Sequence, residues 1–274
     1  MEVRILENED NCLKFLITGI STPIANALRR IMIAEVPSMT IDDVIIIENS
    51  SPMNDEILAL RLGLIPLKTD LDSYFLPEEC TCQSELGCNQ CSVTLTLEAK
   101  AEESTRTVYS KELSSTNPDI TPASGGIPIL KLAYGQSVRL ECYAKLGKGK
   151  VHTKWQPVSA CAYKYASVIH INLEKCNFCK RCIKACPKNI LNKDKNKITI
   201  VEIEKCDLCN ECVFACPIDA IQVEKLKDSF IFMIESTGAL TAERIIYEAN
   251  KILINKTNEF QEQLLKIKSG EISL

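Results

Sequence analysis

An α+β fold is the class this sequence predicts, and three observations predict it. β-branched runs fill a central stretch from 42 to 156, apolar residues recur at helical spacing near both ends, and a cysteine run repeats at a 30-residue offset between 174 and 224. Roughly two domains fit 274 residues. A chain of that length buries a core without cross-links, so size alone does not account for 15 cysteines. The expected location is cytoplasmic. No apolar run approaches the ~20 residues needed to span a bilayer, and the opening MEVRILENED has no basic segment followed by an apolar one. In a reducing cytosol so many thiols point to metal ligation before disulfides. The net charge of −4 lacks the basic excess of a protein that neutralises many phosphates by itself. Contact with nucleic acid is therefore expected to come from partners, and no membrane contact is expected.

Two strands come first, Glu2 to Leu6 and Cys12 to Thr18, followed by a helix from Pro23 to about Val36. Ser21 or Thr22 can cap that helix, Pro23 suits its first position and Pro37 stops it. Ile24, Leu28, Ile31 and Met32 make one apolar stripe, with Arg29 and Arg30 at its flank. The central stretch holds strands at Val44 to Glu48, Val93 to Ala99, Ile129 to Ala133 and Val138 to Tyr143. Turns are expected at Ser124-Gly125-Gly126 and Leu146-Gly147-Lys148-Gly149, and the whole reads as an inserted β-rich domain. Inside it, Asn54 to Gly63 reads as a short helix with Asp55 and Glu56 in its first turn and Gly63 as its stop. Beyond the cysteine repeat, Phe230 to Ile234 is a strand, and Thr241 caps a long helix reaching about Lys268. Its residues Ala242, Ile246, Ala249, Leu253, Phe260, Leu264 and Ile267 approximate an a/d seam, which wants a partner helix, with the chain's own sheet sharing the part from Ala242 to Leu253.

The cysteines carry the chemistry. Cys176-x2-Cys179-x2-Cys182-x3-Cys186-Pro187 recurs as Cys206-x2-Cys209-x2-Cys212-x3-Cys216-Pro217. This is the bacterial ferredoxin spacing, in which the fourth cysteine of each run serves the other cluster. It assigns Cys176, Cys179, Cys182 and Cys216 to one [4Fe-4S] cluster and Cys206, Cys209, Cys212 and Cys186 to a second, with [3Fe-4S] left open for one of them. Zinc sites or plain core cysteines are the bland alternative. Cys80-x-Cys82-x5-Cys88-x2-Cys91 sits in a polar loop and suits a tetrahedral structural Zn²⁺, with disulfides or free thiols as alternatives. Cys12, Cys142 and Cys161 lie in apolar strand patterns and read as small buried hydrophobes. His152 and His170 sit in strand-like contexts with no ligand spacing around them and read as structural. No hydrolase, P-loop, zincin or dinucleotide motif is present, so no catalytic residues are expected in this chain.

Several motifs then carry a resemblance. Asn26 to Met32 (NALRRIM) followed by Val36-Pro37, Ile41-Asp42-Asp43-Val44, Glu48-Asn49, and Asp55-Glu56-Ile57-Leu58-Ala59-x-Arg61-Leu62-Gly63-Leu64-Ile65-Pro66-Leu67 resemble the alpha-like assembly subunits of multisubunit RNA polymerases. That family takes in bacterial alpha, the third-largest subunit of eukaryotic polymerase II and their archaeal counterpart, and the ferredoxin insertion is similar to the archaeal branch. Gly147-Lys148-Gly149, Lys154-Trp155-x-Pro157-Val158-Ser159 and Glu235-Ser236-x-Gly238 extend the match over nearly the whole chain. The resemblance implies a discontinuous alpha-type dimerisation domain (1–41, 157–173 and 226–274) interrupted by the β-rich domain (42–156) and a ferredoxin-like domain (174–225). It implies a non-catalytic scaffold in transcription that pairs with a smaller subunit L, docks subunits N and P, and nucleates the large catalytic subunits. Nucleotidyl transfer would then belong to the complex. Arg29, Arg30, Asp55, Glu56 and Arg61 would be assembly contacts, unless some only hold the short helix by local ion pairs. Eukaryotic relatives carry a C-x-C-x3-C-x2-C zinc loop where this chain has C-x-C-x5-C-x2-C, a departure that bears on zinc. The rival class is a ferredoxin-type electron carrier or the iron–sulfur subunit of a redox enzyme.

Overall fold

The computed structural model describes residues 1–9, 11–82, 84, 86–194 and 197–268. In chain order its elements are β1 (Glu2–Glu9), β2 (Cys12–Thr18), α1 (Thr22–Ala34), β3 (Pro37–Asn49), α2 (Asp55–Gly63), β4 (Ser92–Lys100), β5 (Arg106–Tyr109), β6 (Ser114–Ser115), β7 (Pro128–Leu132) and β8 (Ser137–Lys148). There follow β9 (Val158–Ile171), α3 (Arg181–Ala185), β10 (Leu191–Asp194), β11 (Lys197–Ile200), α4 (Glu211–Phe214), β12 (Ile221–Ser236) and α5 (Ala242–Lys268). The class is α+β, and the pairs β3–β8, β4–β8, β4–β6, β5–β7 and β10–β11 are antiparallel.

The chain divides into two compact units, the first made of Met1–Asn8, Leu13–Asn26 and Ala162–Met233. Its frame is a sheet in the order β1-β2-β12-β9. Leu13, Phe15 and Ile17 alternate inward along β2, the period-2 pattern of a half-buried strand, and β2 spans the expected residues. Phe15 stacks on Phe232 with ring centroids 5.2 Å apart, and Tyr163 and Tyr165 meet Phe230 at 5.4 and 5.1 Å. β1 runs three residues past the expected Leu6 although almost wholly exposed, so pairing rather than burial sustains it. The rest of this unit holds α3, α4 and the β10–β11 pair around Ile169, Ile190, Leu191, Ile221 and four buried cysteines.

The second unit comprises Glu9–Cys12, Ala27–Cys161 and the chain from Ile234 onward. Its sheet, in the order β3-β8-β4-β6, packs Leu95, Leu97, Leu140 and Cys142 into a core that α2 joins through Leu58 and Leu62. Burying such aliphatic side chains stabilises by ~1.5–3 kcal/mol each, and this core is where the unit gains most.

Several expectations are corrected. Pro37 does not merely stop α1, which ends at Ala34; it opens a 13-residue strand. β3 pairs with β8 almost throughout, through irregularities at Ile41/Asp43 and Ile46/Glu48 that break the simple alternation and hid its length. β8 continues to Lys148, so Leu146 to Lys148 are strand and the reversal follows at Gly149. Gly63 is no left-handed stop, since it lies within α2 and Leu64 closes the helix in right-handed backbone. A Cβ at Gly63 would stand 3.3 Å from the Ile41 carbonyl oxygen, so close approach of helix to strand accounts for the glycine. His152 lies outside any strand and caps a short 3-10 turn, its ring accepting from the Lys154 N–H at 3.0 Å. On α1, Ile31 and Met32 are buried but Ile24 is exposed and Ala25 takes the inner position. On α5 the buried residues are Ala242, Ile245, Glu248 and Ala249, so Ala242 and Ala249 lie inward as expected, while Ile246 and Leu253 are half-buried and Ile245 and Glu248 join the inner face.

Candidate metal centres and assembly surfaces

The loop between α2 and β4 gathers Cys80, Cys82, Cys88 and Cys91, whose sulfurs all lie within 4.8 Å of one another. Cys80 and Cys88 are 3.7 Å apart, Cys82 and Cys91 3.7 Å, and Cys88 and Cys91 3.8 Å. A disulfide holds its sulfurs at about 2.05 Å, so none of these three pairs is one. A tetrahedron with zinc–sulfur arms of about 2.3 Å has edges of about 3.8 Å, and the observed separations fit it. The Cys88 N–H donates to Cys91 Sγ at 3.2 Å. Gly87 makes the reversal possible: its φ is +87°, and a Cβ there would lie 2.6 Å from Ser92 Cβ and 3.1 Å from Cys91 Sγ. Burial pushes the Cys91 thiol up to about 12, while the Ser84 backbone N–H, helped by neighbouring thiols, lowers Cys82 to about 7. The set offers four soft donors at one-ion spacing. Zinc would neutralise the thiolate charge and pin a loop with few apolar residues.

In the first unit the two cysteine runs fold alike. Burial pushes the Cys182 thiol up, and the nearby Cys176 and Cys216 thiols act in the same direction. Burial likewise pushes Cys212 up to about 11, with Cys186, Cys206 and Cys209 as its neighbours. The fourth cysteine of each run therefore lies beside the other run's cysteines. Cys186, Cys206, Cys209 and Cys212 also line one small cavity. Phe178, Lys180, Asn189, Leu208, Asn210 and Asp219 all have φ between 49° and 62°. Left-handed backbone at bulky residues such as Phe178 and Leu208 costs free energy and persists only where the surroundings impose it. Backbone turned in this way can present N–H groups to an anionic group, and here the Ala220 N–H reaches Cys216 Sγ at 3.2 Å. The two charge-opposed halves, net +6 over 174–198 and −5 over 199–224, are joined by Lys188 to Asp207 at 3.0 Å. Asp207, a residue the sequence did not single out, also takes Lys164 at 2.8 Å, and these two lysines hold its carboxyl below the usual range.

Of the remaining cysteines, Cys142 is fully buried and Cys161 half-buried, their thiols pushed up by burial to about 12 and about 11; Cys12 is half-buried. His170 is an exposed residue of β9.

The expected assembly residues are placed variously. Arg30 is exposed on α1, and Arg29 is half-buried near Cys161. Asp55 accepts from the Asn49 side chain at 2.7 Å and Arg61 donates to the Pro128 carbonyl at 2.7 Å, so both hold α2 in place, by hydrogen bonds and not by the local ion pairs considered above. Glu56 is exposed. What the sequence reading missed is the outer face of α2, where Ile57, Leu60 and Leu64 are each more than half exposed; their 3–4 spacing was the available signal. On α5, Ile254, Phe260, Leu264, Leu265 and Ile267 are exposed. Among the described residues no helix is long and apolar enough to cross a membrane.

Comparison with known proteins matches residues 14–257 to the RNA polymerase Rpb3/Rpb11 dimerisation domain. The DNA-directed RNA polymerase subunit Rpo3 of Archaeoglobus fulgidus is 42% identical over 266 residues, covering 97% of this chain and 98% of that protein. The Rpo3 proteins of Methanosphaera stadtmanae and Pyrococcus horikoshii are 39% and 37% identical, covering 94% and 97% of this chain and 96% and 99% of theirs. The similarity extends far outside the cysteine runs, so it is the polymerase motifs, and not an isolated ferredoxin segment, that the chain shares. The chain belongs to the RNA polymerase Rpb3/Rpb11 dimerisation-domain family, within its archaeal Rpo3 branch.

Proposed function

We propose that this RNA polymerase subunit is the assembly scaffold of its enzyme, pairing through a discontinuous dimerisation domain with the smaller alpha-like subunit L and then recruiting N, P and the large catalytic subunits. The observation that carries the reading is α5, whose outer half presents Phe260, Leu264, Leu265 and Ile267 to water. Apolar surface of that extent on one helix is ordinarily covered by a partner. In this reading the β-rich part and the cysteine repeat are insertions. The four-thiolate loop holds one structural Zn²⁺, and the two runs hold two [4Fe-4S] clusters in the crossed arrangement. The neighbours of Cys182 and Cys212 support that crossing. Co-expression with L under anaerobic conditions should yield a 1:1 heterodimer carrying iron, sulfide and zinc. A well-behaved monomer with no affinity for L, seen in sedimentation, would overturn the scaffold.

A further inference from the structure

The two cysteine runs match in spacing and in backbone conformation at their 30-residue offset. Phe178 and Leu208 have φ of 55° and 58°, Lys180 and Asn210 62° and 60°, Asn189 and Asp219 53° and 49°. α3 and α4 begin at the matching residues Arg181 and Glu211. Cys182 and Cys212 are both buried and Cys179 and Cys209 both exposed, but Cys176 is half-buried where Cys206 is buried, and Cys216 half-buried where Cys186 is buried.

Charge is what differs. Where the first loop has Lys180, Arg181, Lys184 and Lys188, the second has Asn210, Glu211, Phe214 and Ile218. Where the first has Asn177 and Asn189, the second has Asp207 and Asp219. The potential of an iron–sulfur cluster follows its type, its surrounding charge, hydrogen bonds to its sulfurs and its exposure. Ligand number and loop shape are matched; exposure differs, with one buried ligand in the first set against three in the second, and the wetter site favours the added charge, in the same direction as the charges around it. An added electron makes a cluster more negative, which nearby cations favour and nearby carboxylates oppose. Asp207 is partly neutralised by Lys164 and Lys188, and Asp219 follows Cys216 and so goes with the first cluster; the imbalance rests mainly on Lys180, Arg181 and Lys184 against Glu211. The Ala220 N–H on Cys216 Sγ favours the electron-rich state at the same cluster as the cations do.

We propose that the pair is electrically asymmetric: the cluster held by Cys176, Cys179, Cys182 and Cys216 accepts the first electron, and the one held by Cys206, Cys209, Cys212 and Cys186 is reduced only at lower potential. The inference rests on the two-cluster reading above. One electron from a low-potential donor of the ferredoxin class converts [4Fe-4S]²⁺ to [4Fe-4S]⁺; no bond forms or breaks and no proton moves.

The test uses the full chain purified anaerobically, with iron and sulfide analysis first and then a redox titration with dithionite and mediators followed by electron paramagnetic resonance. Expected are about eight iron atoms per chain and two one-electron waves separated by at least tenfold in equilibrium constant, about 59 mV. Combining Lys180→Asn, Arg181→Glu and Lys184→Gln should lower the upper wave and leave the lower one in place. The converse pair Asn210→Lys and Glu211→Arg should raise the lower wave, so that either set of changes brings the two together. Full iron with a single unsplit wave, or with charge changes that move the wrong wave, would overturn the asymmetry alone. Iron far below eight per chain would overturn the two-cluster reading beneath it.

Discussion

Replacing Cys91 by Ser removes the hub of the four-thiolate loop. Cys91 Sγ lies 3.7 Å from Cys82 and 3.8 Å from Cys88 and accepts the Cys88 N–H at 3.2 Å, while the residue itself is 2% exposed. Structural zinc in small domains binds with an apparent ~10–16 kcal/mol shared among four ligands, so one thiolate is worth about 2.5–4 kcal/mol. At 1.4 kcal/mol per decade, its loss weakens zinc binding about 100- to 1000-fold. A serine hydroxyl does not replace it, because it stays protonated where a thiolate forms. The effect should remain local, since Leu76 and Val93 at the two ends of the loop stay anchored in the core of the second unit. On the proposed zinc site, the parent should keep one equivalent of zinc through dialysis against a chelator and the variant should come out nearly zinc-free. A Glu-specific protease should cut it faster at Glu78 and Glu79, with the heterodimer intact. Full zinc retention in the variant would refute the four-thiolate centre.

Gly147→Ala places a Cβ 2.3 Å from Trp155 Cε2, and the indole is held by its N–H to the Lys145 carbonyl at 3.2 Å and by Lys154 Nζ 4.3 Å above the ring. Overpacking there should cost about 2–3 kcal/mol and lower the melting temperature by about 5–10 °C in calorimetry. Phe260→Asp with Leu264→Asp should weaken binding to L at least 100-fold in a titration while leaving the chain's own melting point unchanged, because both side chains are exposed. Arg29→Ala with Arg30→Ala should spare the heterodimer and reduce recovery of the large subunits on reconstitution; normal assembly would make these arginines a solvated face. On α2, Leu58→Ala should destabilise by about 2–5 kcal/mol, whereas Leu60→Asp should leave stability intact and impair assembly, read by melting and by pull-down of the large subunits.

Legibility in the sequence followed the kind of force at work. Thiolate ligation needs fixed spacings, so the eight cysteines of the two runs could be singled out by counting. β2 was readable because one of its faces is buried and the pattern alternates. β3 was not, because its two irregular steps against β8 shift the alternation, and because Pro37 reads as a helix stop when it in fact opens a strand. The inner face of α5 was read in part, through Ala242 and Ala249; Glu248, 7% exposed and paired with Arg244 at 2.9 Å, was missed on it. A charged residue in an apolar stripe reads as a break in the stripe unless its partner is known. No signal in the sequence marks Phe178 and Leu208 as left-handed, since bulky residues avoid that conformation; the 30-residue repeat could have shown that they must share one.

The motifs that carry the family resemblance separate physically into two sets. Gly147 seats Trp155, and a Cβ at Gly149 would stand 2.5 Å from the Ile33 carbonyl oxygen, just where the Lys150 N–H donates to Ala34 at 2.7 Å. Asp42 pairs with Lys154 and Asp43 with Lys145, each at 2.6 Å. Ser236 bonds the Leu240 carbonyl and accepts the Gly238 N–H at 2.9 Å, and Gly238 turns the chain toward α5 with φ of +90°. These residues are explained fully by contacts inside the second unit and need no partner. Arg30, Glu56 and the apolar Ile57 and Leu64 make no comparable demand on the fold, being exposed on α1, on α2 and at the cap of α2. Substitution in the first set is therefore expected to disturb the fold itself, and substitution in the second to leave it standing.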